Sequence, residues 1–402
     1  MSATCDVLII GGGVTGLSTA LHLALRKCGR IRVLERHYVG AGQSGRAAGI
    51  IRSTVRHAGL SRWQTESARF FQNLSEQFGE GIPVHSAGYL LATDQDHSAS
   101  VDDAIRVANS TGCAVSRIDA QQANDLQPGL RFDDRTIYAF EPGAVHLDPM
   151  EATQALARIV RTLGVEIVEG CEVQRLEVAG PMVHVATESG TIESPVVFLG
   201  TSCWMPLQME RFGQPLPVRP HRAEMGFFQV PARSDRRLQR IVSDAASGIY
   251  LRPEGADQMF VGWREGDWVK SLEDCVIQDP DQCRQTAEFS TVRKMHRALT
   301  KTLPWMLEGF VHRTFACTYD YSPDGMPILD RLDGPAGIFL AAGFSGGGFS
   351  LSPFVGRRMA EYIDTGRRPD EITELSWQRF RDGKSIQWSN TQLSGYKSKS
   401  LN

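Results

Sequence analysis

The stretch RTFACTYDYSPDGMPILD, Arg313 to Asp330, reads as a strand that runs into a proline–aspartate–glycine turn. Side chains on a strand alternate faces, so Arg313, Phe315, Cys317, Tyr319 and Tyr321 share one. A cation on the face of a cysteine gives the thiol a route to a lowered pKa, and a thiolate is a nucleophile and a bond-former. Two readings of Cys317 stand side by side: a reactive thiol aimed at an electrophile, or a buried cysteine acting as a small hydrophobe. The other cysteines, at 5, 28, 113, 171, 203, 275 and 283, read as structural. No pair has Cys-x-x-Cys spacing, which argues against a zinc site or disulfide scaffold and fits a reducing compartment.

Such a thiol needs a large scaffold, and the chain supplies one. Its 402 residues are 42% hydrophobic, enough for two or three domains. The net charge of −3 lacks the basic footprint of a nucleic-acid binder. No apolar run reaches the ~18 residues that cross a bilayer, and the opening MSATCDVLIIGGG has no charged region ahead of its apolar run, unlike a signal peptide. The chain ends without a peroxisomal tripeptide. A cytoplasmic protein is the expectation.

Near the start, DVLII reads as a buried parallel strand, and GGGVTG follows with Gly11, Gly13 and Gly16 in G-x-G-x-x-G spacing. Leu17, Ala20, Leu21 and Ala24 then mark one face of a helix, and the second apolar run, IRVLE, ends at Glu35. Each part has a task. Gly11 permits the tight turn, Gly13 lets backbone approach a pyrophosphate, and Gly16 lets the helix pack on the sheet. The helix N-terminus meets the phosphates, and Glu35 can accept ribose hydroxyls. An acid there admits NAD or FAD and repels the 2′-phosphate of NADP.

The far end carries a second unit of this kind. Ile338 to Ala342 read as a strand, Gly343, Gly346, Gly347 and Gly348 as a loop, and Leu351, Phe354, Val355, Met359 and Ile363 as a buried helix face. A second glycine-led helix N-terminus suits a second locus of negative charge. A reduced flavin has one; NAD explains only the first unit. Between them, GAGQSGRAAGIIRS is small enough for backbone to approach a flat ligand and ends near Arg52.

Together the opening fingerprint, GIIR, YLRPEG, CTYDYSPDGMPILD and AAGFSGGGF resemble the flavin-dependent amine and amino-acid oxidoreductases of the D-amino-acid oxidase superfamily, over roughly Asp6 to Thr365. The sarcosine oxidase and pipecolate oxidase branch is the most similar. The resemblance implies an α/β fold: a Rossmann-like FAD-binding domain (1–85, 146–213 and 314–385) interleaved with an α+β substrate domain built on an antiparallel sheet (86–145 and 214–313), then a polar tail (386–402). It implies FAD contacts at Gly11, Gly13, Gly16, Glu35, Arg36, Gly45, Ala48, Arg52, Val173, Gly200, Gly343, Gly346, Gly347, Gly348, Phe349 and Ser350. Cys317, Tyr319 and Asp324 match the branch spacing in which the cysteine carries covalent FAD, while an arginine in place of Tyr319 would mark the D-amino-acid branch.

Two departures stand out. Phe260 occupies the place of a family lysine over the flavin that activates oxygen, and Ser350 that of a lysine that helps hold the substrate carboxylate. Arg52, Arg222, Arg252 and Arg264 are candidates to compensate; Arg52 is expected in the active site, the other three on the surface or in salt bridges. His57, His146, His221 and His312 show no catalytic or metal spacing and read as structural. The implied activity is oxidation of a C–N bond by hydride transfer to flavin N5, with Arg52, Tyr319, Tyr250 and Phe260 around a small amine or amino acid. Oxygen or another acceptor restores the flavin. The rivals are a flavin subunit that feeds a partner and a non-catalytic FAD-binding assembly or sensor protein.

Overall fold

The structure, a computed structural model, describes residues 3–131, 135–263, 276–334 and 337–387. Val7–Ile10 is four aliphatic residues in a row, all buried, and sits inside a six-stranded sheet. It pairs in parallel with Ile31–Leu34 on one side and with Val196–Leu199 on the other. Gly337–Ala342 extends the parallel set, and Ile328–Arg331 closes that edge antiparallel. Glu166–Val168 forms the opposite edge.

Two helices cover one face and touch each other. Val14–Leu25 follows the first glycine loop and Gly348–Thr365 follows the second. They pack so closely that a Cβ on Gly356 would lie 2.4 Å from the carbonyl carbon of Ser18. Helix Ala58–Gln72 adds aromatic layers, with Trp63 stacked on Phe354 at 4.6 Å and Phe71 on Phe349 at 5.5 Å. Helix Pro149–Thr162 starts with proline at its first position, and the Asp148 carboxylate caps it by accepting the Glu151 N–H at 2.8 Å.

The stretch TIESPVVFLG forms two strands. Gly190–Ser194 joins a four-stranded sheet with Ala3–Thr4, Val173–Ala179 and Met182–Thr187, whereas Val196–Leu199 enters the six-stranded one. Pro195 lies at the break, where a residue with no N–H cannot continue a ladder.

The second large sheet has eight strands in the order Phe310–Tyr321, Arg219–Gln229, Gln258–Trp263, Ile249–Glu254, Ile241–Asp244, Tyr89–Thr93, Ile137–Glu141, Ser116–Ile118. It is antiparallel except where Ile241–Asp244 meets Tyr89–Thr93 in parallel, the seam between its two stretches of chain. Ile249–Glu254 and Gln258–Trp263 form a hairpin that turns at 255–257. The boundary expected at 313/314 falls inside strand Phe310–Tyr321, which belongs to this sheet.

One face of this sheet packs through Leu251, Met259 and Val261 onto Met295 and Leu299 of helix Phe289–Thr302. The other face is continuous from strand to strand. Ser243 lies opposite Tyr250, Tyr250 opposite Gly262, Gly262 opposite Met225, and Ala223 opposite Cys317. Among the described residues, no helix is long and apolar enough to cross a membrane.

Candidate functional site

A cavity of about 630 Å³ lies between the six-stranded sheet and that second face. The opening fingerprint forms one end. Gly11 has φ +109°, and a Cβ there would come within 2.6 Å of the Gly200 carbonyl oxygen. A Cβ on Gly16 would come within 2.1 Å of the Gly11 oxygen, so Gly16 packs the turn and does not line the cavity. Gly13 precedes the helix, whose first N–H groups open toward the cavity, and Val14 N–H is held by Ser44 Oγ at 2.9 Å. Glu35 accepts the N–H groups of Gly12 (2.9 Å) and His37 (3.0 Å), so the carboxylate is fixed at the cavity wall with lone pairs to spare. Helix N-terminus, glycine turn and fixed acid fit a dinucleotide without rearrangement.

Arg36 lines the same end, but in a pair. Its guanidinium bonds Asp281 and lies 4.4 Å over the Trp204 ring. Arg36 and the Trp204 indole hold the Asp281 carboxyl below its usual range. Val173 and Gly200 also line the wall. Gly45 does not: a Cβ there would strike Met150, so it serves packing.

Further along, Ala48 and Arg52 line the cavity, and a buried carboxylate braces the chain after them. Glu141 accepts the N–H groups of Ser53 (2.7 Å) and Thr54 (2.8 Å). The Arg52 guanidinium bonds the Thr54 carbonyl and lies 4.9 Å over the Tyr89 ring. Behind Ala48, its carbonyl takes the Arg252 Nε–H at 2.6 Å. Arg252, 3% exposed, also pairs with Glu254 and lies 5.1 Å over Phe260. It is therefore an interior latch between the loop and the second sheet rather than a surface residue.

The second glycine unit closes the far side. Gly346, Gly347, Gly348, Phe349 and Ser350 line the cavity, and Ser350 Oγ donates to the Gly347 carbonyl at 3.1 Å. Gly343 stands behind the lining, and its N–H bonds the buried Asp320 carboxylate at 2.8 Å. Burial pushes the Asp320 carboxyl up to about 7, against backbone N–H groups that favour its charged form.

The second sheet contributes Tyr250, Cys317 and Tyr319. Tyr250 lies flat on Gly262, where a Cβ would meet its Cζ at 2.0 Å. Tyr319 lines the cavity beside Cys317 and Tyr250.

Several expectations need correction. Arg313 shares the strand with Cys317, yet it is exposed and lies 4.0 Å over Phe227. It does not lower the thiol. Burial pushes Cys317 up to about 12, and the groups that pull it back are Tyr319, by hydrogen bond, and Arg46 and Arg222, by charge. Phe260 is wholly buried among Met225, Phe227 and Cys317, behind the wall rather than in it. Asp324 pairs with Arg379 at 2.7 Å in the interior and holds Ile386 N–H at 3.0 Å, a structural role. Arg222 pairs with Glu224 and the Thr286 carbonyl. Arg264 lies outside the described residues. His57 accepts the Leu60 N–H at its helix start, His146 stacks on His85 and His221 meets Tyr321 edge-on.

The cavity also contains residues that the sequence did not single out: Gln43, Arg46, Tyr89, Trp204, Asp281 and Asp320. Ser44 and Arg46 sit in the glycine- and alanine-rich loop, and a polar residue amid small ones was the available signal.

The family model described as FAD dependent oxidoreductase, DAO, matches residues 6–362. Dimethylglycine dehydrogenase from Rattus norvegicus is 24% identical over 404 residues, covering 98% of this chain and 46% of its own length. This chain thus spans about half of that relative. Monomeric sarcosine oxidase from a Bacillus species is 23% identical, covering 94% of this chain and 98% of its own length. Among solved structures, L-proline dehydrogenase from P. horikoshii shares the fold, with TM-score 0.86, 24% identity and coverage of 96% of this chain and 100% of that one. With the cradle and both glycine units in place, the match over most of the chain shows that it belongs to the DAO family of FAD-dependent oxidoreductases.

Proposed function

We propose that this chain oxidises a C–N bond in a small, secondary or N-substituted amine or amino acid. One observation carries the reading: a single cavity has a nucleotide cradle at one end and, at the other, Arg52 with Tyr89, Tyr250 and Tyr319. Gly11, Gly13, Glu35 and Val173 would hold the nucleotide half of FAD, and Ala48, Arg52 and Gly346 to Ser350 the ring half. Bound there, FAD supplies the two-electron acceptor that takes hydride from the carbon beside nitrogen. Arg52 offers its charge to a substrate carboxylate, and Tyr250 and Tyr319 orient the amine. Ser350 and the helix start at Gly348 present dipoles to negative charge on the ring. Cys317 is the attachment point for the flavin, in a reducing, cytoplasmic setting.

The division into an FAD domain (1–85, 146–213 and the chain after strand Phe310–Tyr321) and a substrate domain (86–145 and 214 through that strand) belongs to the same reading. A dehydrogenase that passes electrons to another acceptor is the second reading. It is supported by a cavity wall in which no lysine stands among the described residues.

The test is an anaerobic screen of primary and secondary amines and N-methyl amino acids, followed at the flavin absorbance. Bleaching by one class is the expected outcome. Hydrogen peroxide on readmission of air assigns an oxidase, and its absence a dehydrogenase. No bleaching by any amine overturns the enzymatic reading in favour of a non-catalytic FAD-binding protein.

A further inference from the structure

We infer that Arg46 and Tyr319 prepare Cys317 for bonding to the flavin, with Tyr250 next on the path of the thiol proton. The inference rests on the reading of Cys317 as the attachment point and adds the groups that make the bond possible.

The thiol needs help. Cys317 is 2% exposed and packs with Met225, Phe227 and Phe260, an apolar pocket that disfavours a thiolate. Two polar groups reach it. Arg46 ends the turn Ser44–Arg46, and this turn is tied to the first glycine unit through Ser44 and Val14 N–H. Its side chain lines the cavity half-buried and has no hydrogen bond or ion pair among the described residues. The loop is set against the strand of Cys317, where Gln43 Oε1 accepts the Thr318 N–H at 2.8 Å, and Arg46 and Cys317 line the same cavity. Cavity-lining Arg36, by contrast, is neutralised by Asp281, and Arg52 is bonded to the Thr54 carbonyl. Arg46 is therefore a cation held in the wall for something other than a protein anion.

Tyr319 provides the second group. It lies two residues along the strand from Cys317, on the same face, and lines the cavity with Tyr250. All three side chains line one cavity.

The overall step balances with dioxygen as oxidant. Cys317 loses its S–H hydrogen and the flavin 8-methyl carbon loses one C–H hydrogen. A C–S bond forms, and the two electrons and two protons end on dioxygen as hydrogen peroxide. Arg46 stabilises the thiolate and the negative charge that passes to the ring as the bond forms. Tyr319 carries the sulfur proton toward Tyr250 and the cavity.

The experiment starts from protein produced under riboflavin limitation, to which FAD is added in air. Bound FAD is measured by quenching of protein fluorescence. The linked fraction is measured as yellow colour that stays in an acid-precipitated pellet. Wild type is expected to give a yellow pellet and Cys317→Ser a colourless one. Arg46→Met should bind FAD yet link about a hundredfold more slowly, with partial rescue by Arg46→Lys. Tyr319→Phe should link roughly tenfold more slowly. Melting temperatures near wild type in Arg46→Lys and Tyr319→Phe separate these effects from misfolding.

A colourless wild-type pellet overturns the attachment reading and this inference with it. A yellow wild type with both variants linking at its rate overturns the inference alone. Linkage that falls only in proportion to bound FAD assigns Arg46 to holding the cofactor and also overturns it.

Discussion

The molecule builds a strand, a glycine loop and a helix twice, at 7–25 and at 337–365, and the two glycine loops are glycine for different reasons. In the first, added side chains would strike the protein itself: Gly11 meets Gly200 and Gly16 meets Gly11. In the second, Gly346 meets no such clash but has a φ of +87°, which favours glycine, whereas Gly348 has no positive φ and a Cβ there would find its nearest neighbour at 3.4 Å, an ordinary contact. The first loop is small so that three backbone segments can converge. In the second loop Gly348 is small although its own protein leaves room, which fits a wall kept low for a ligand. One motif type thus encodes a packing constraint in one place and a binding surface in the other.

The largest effect that would break this contrast is expected at Gly16. Gly16→Ala places a methyl 2.1 Å from a backbone oxygen that cannot retreat, and a loss above about 4 kcal/mol is expected, with no folded, FAD-loaded protein on purification. If that variant melts normally, the first loop is not held by packing. At Gly348, a non-positive φ and ordinary contact distances predict the opposite split. Gly348→Ala should change stability by no more than about 1 kcal/mol, since alanine favours a helix, while FAD affinity drops about tenfold, measured by titration of FAD-free protein.

The smallest effect concerns Asp320, which ties the second loop through Gly343 N–H. Its carboxyl is raised to about 7, so the folded chain keeps a proton that the unfolded chain releases. This contributes stability at low pH that is lost as pH rises toward and through about 7. Asp320→Asn should flatten that slope between pH 5 and pH 8 in melting curves; an unchanged slope would place the dependence elsewhere.

Much of the scaffold was legible because its signals are local. Gly11, Gly13, Gly16 and Glu35 lie within one strand–helix–strand unit, and Asp148 with Pro149 marks a helix start over adjacent residues. Tyr250 and Tyr319 were legible from the family pattern, and both line the cavity. The failures were failures of depth and distance. Periodicity put Arg313 on the face of Cys317, and that is a true statement about direction. It could not show that strand Phe310–Tyr321 has four exposed residues before it dives between the sheets. Arg46 was missed for the converse reason. It comes from the far end of the chain, and only the close approach of turn Ser44–Arg46 to that strand makes it a neighbour of Cys317. Arg252 and Phe260 face each other across a hairpin, and which of the two is latch and which is filler depends on the Ala48 carbonyl, again a tertiary fact.

The contact of Gly356 with Ser18 bears on how the protein is made. The first helix emerges from the ribosome long before the helix that covers it, and strand Val7–Ile10 waits for Val196–Leu199 to pair on its second side. Contacts of such sequence separation form slowly and leave apolar surface uncovered meanwhile. The cradle for the nucleotide is therefore begun at the first glycine unit and finished only at the second. A nascent chain arrested before residue 348 would carry the whole G-x-G-x-x-G fingerprint and still lack a wall of the cofactor's chamber. Cofactor loading then waits for the second glycine unit, and FAD supply during synthesis should govern yield more than FAD added to chains that have already collapsed.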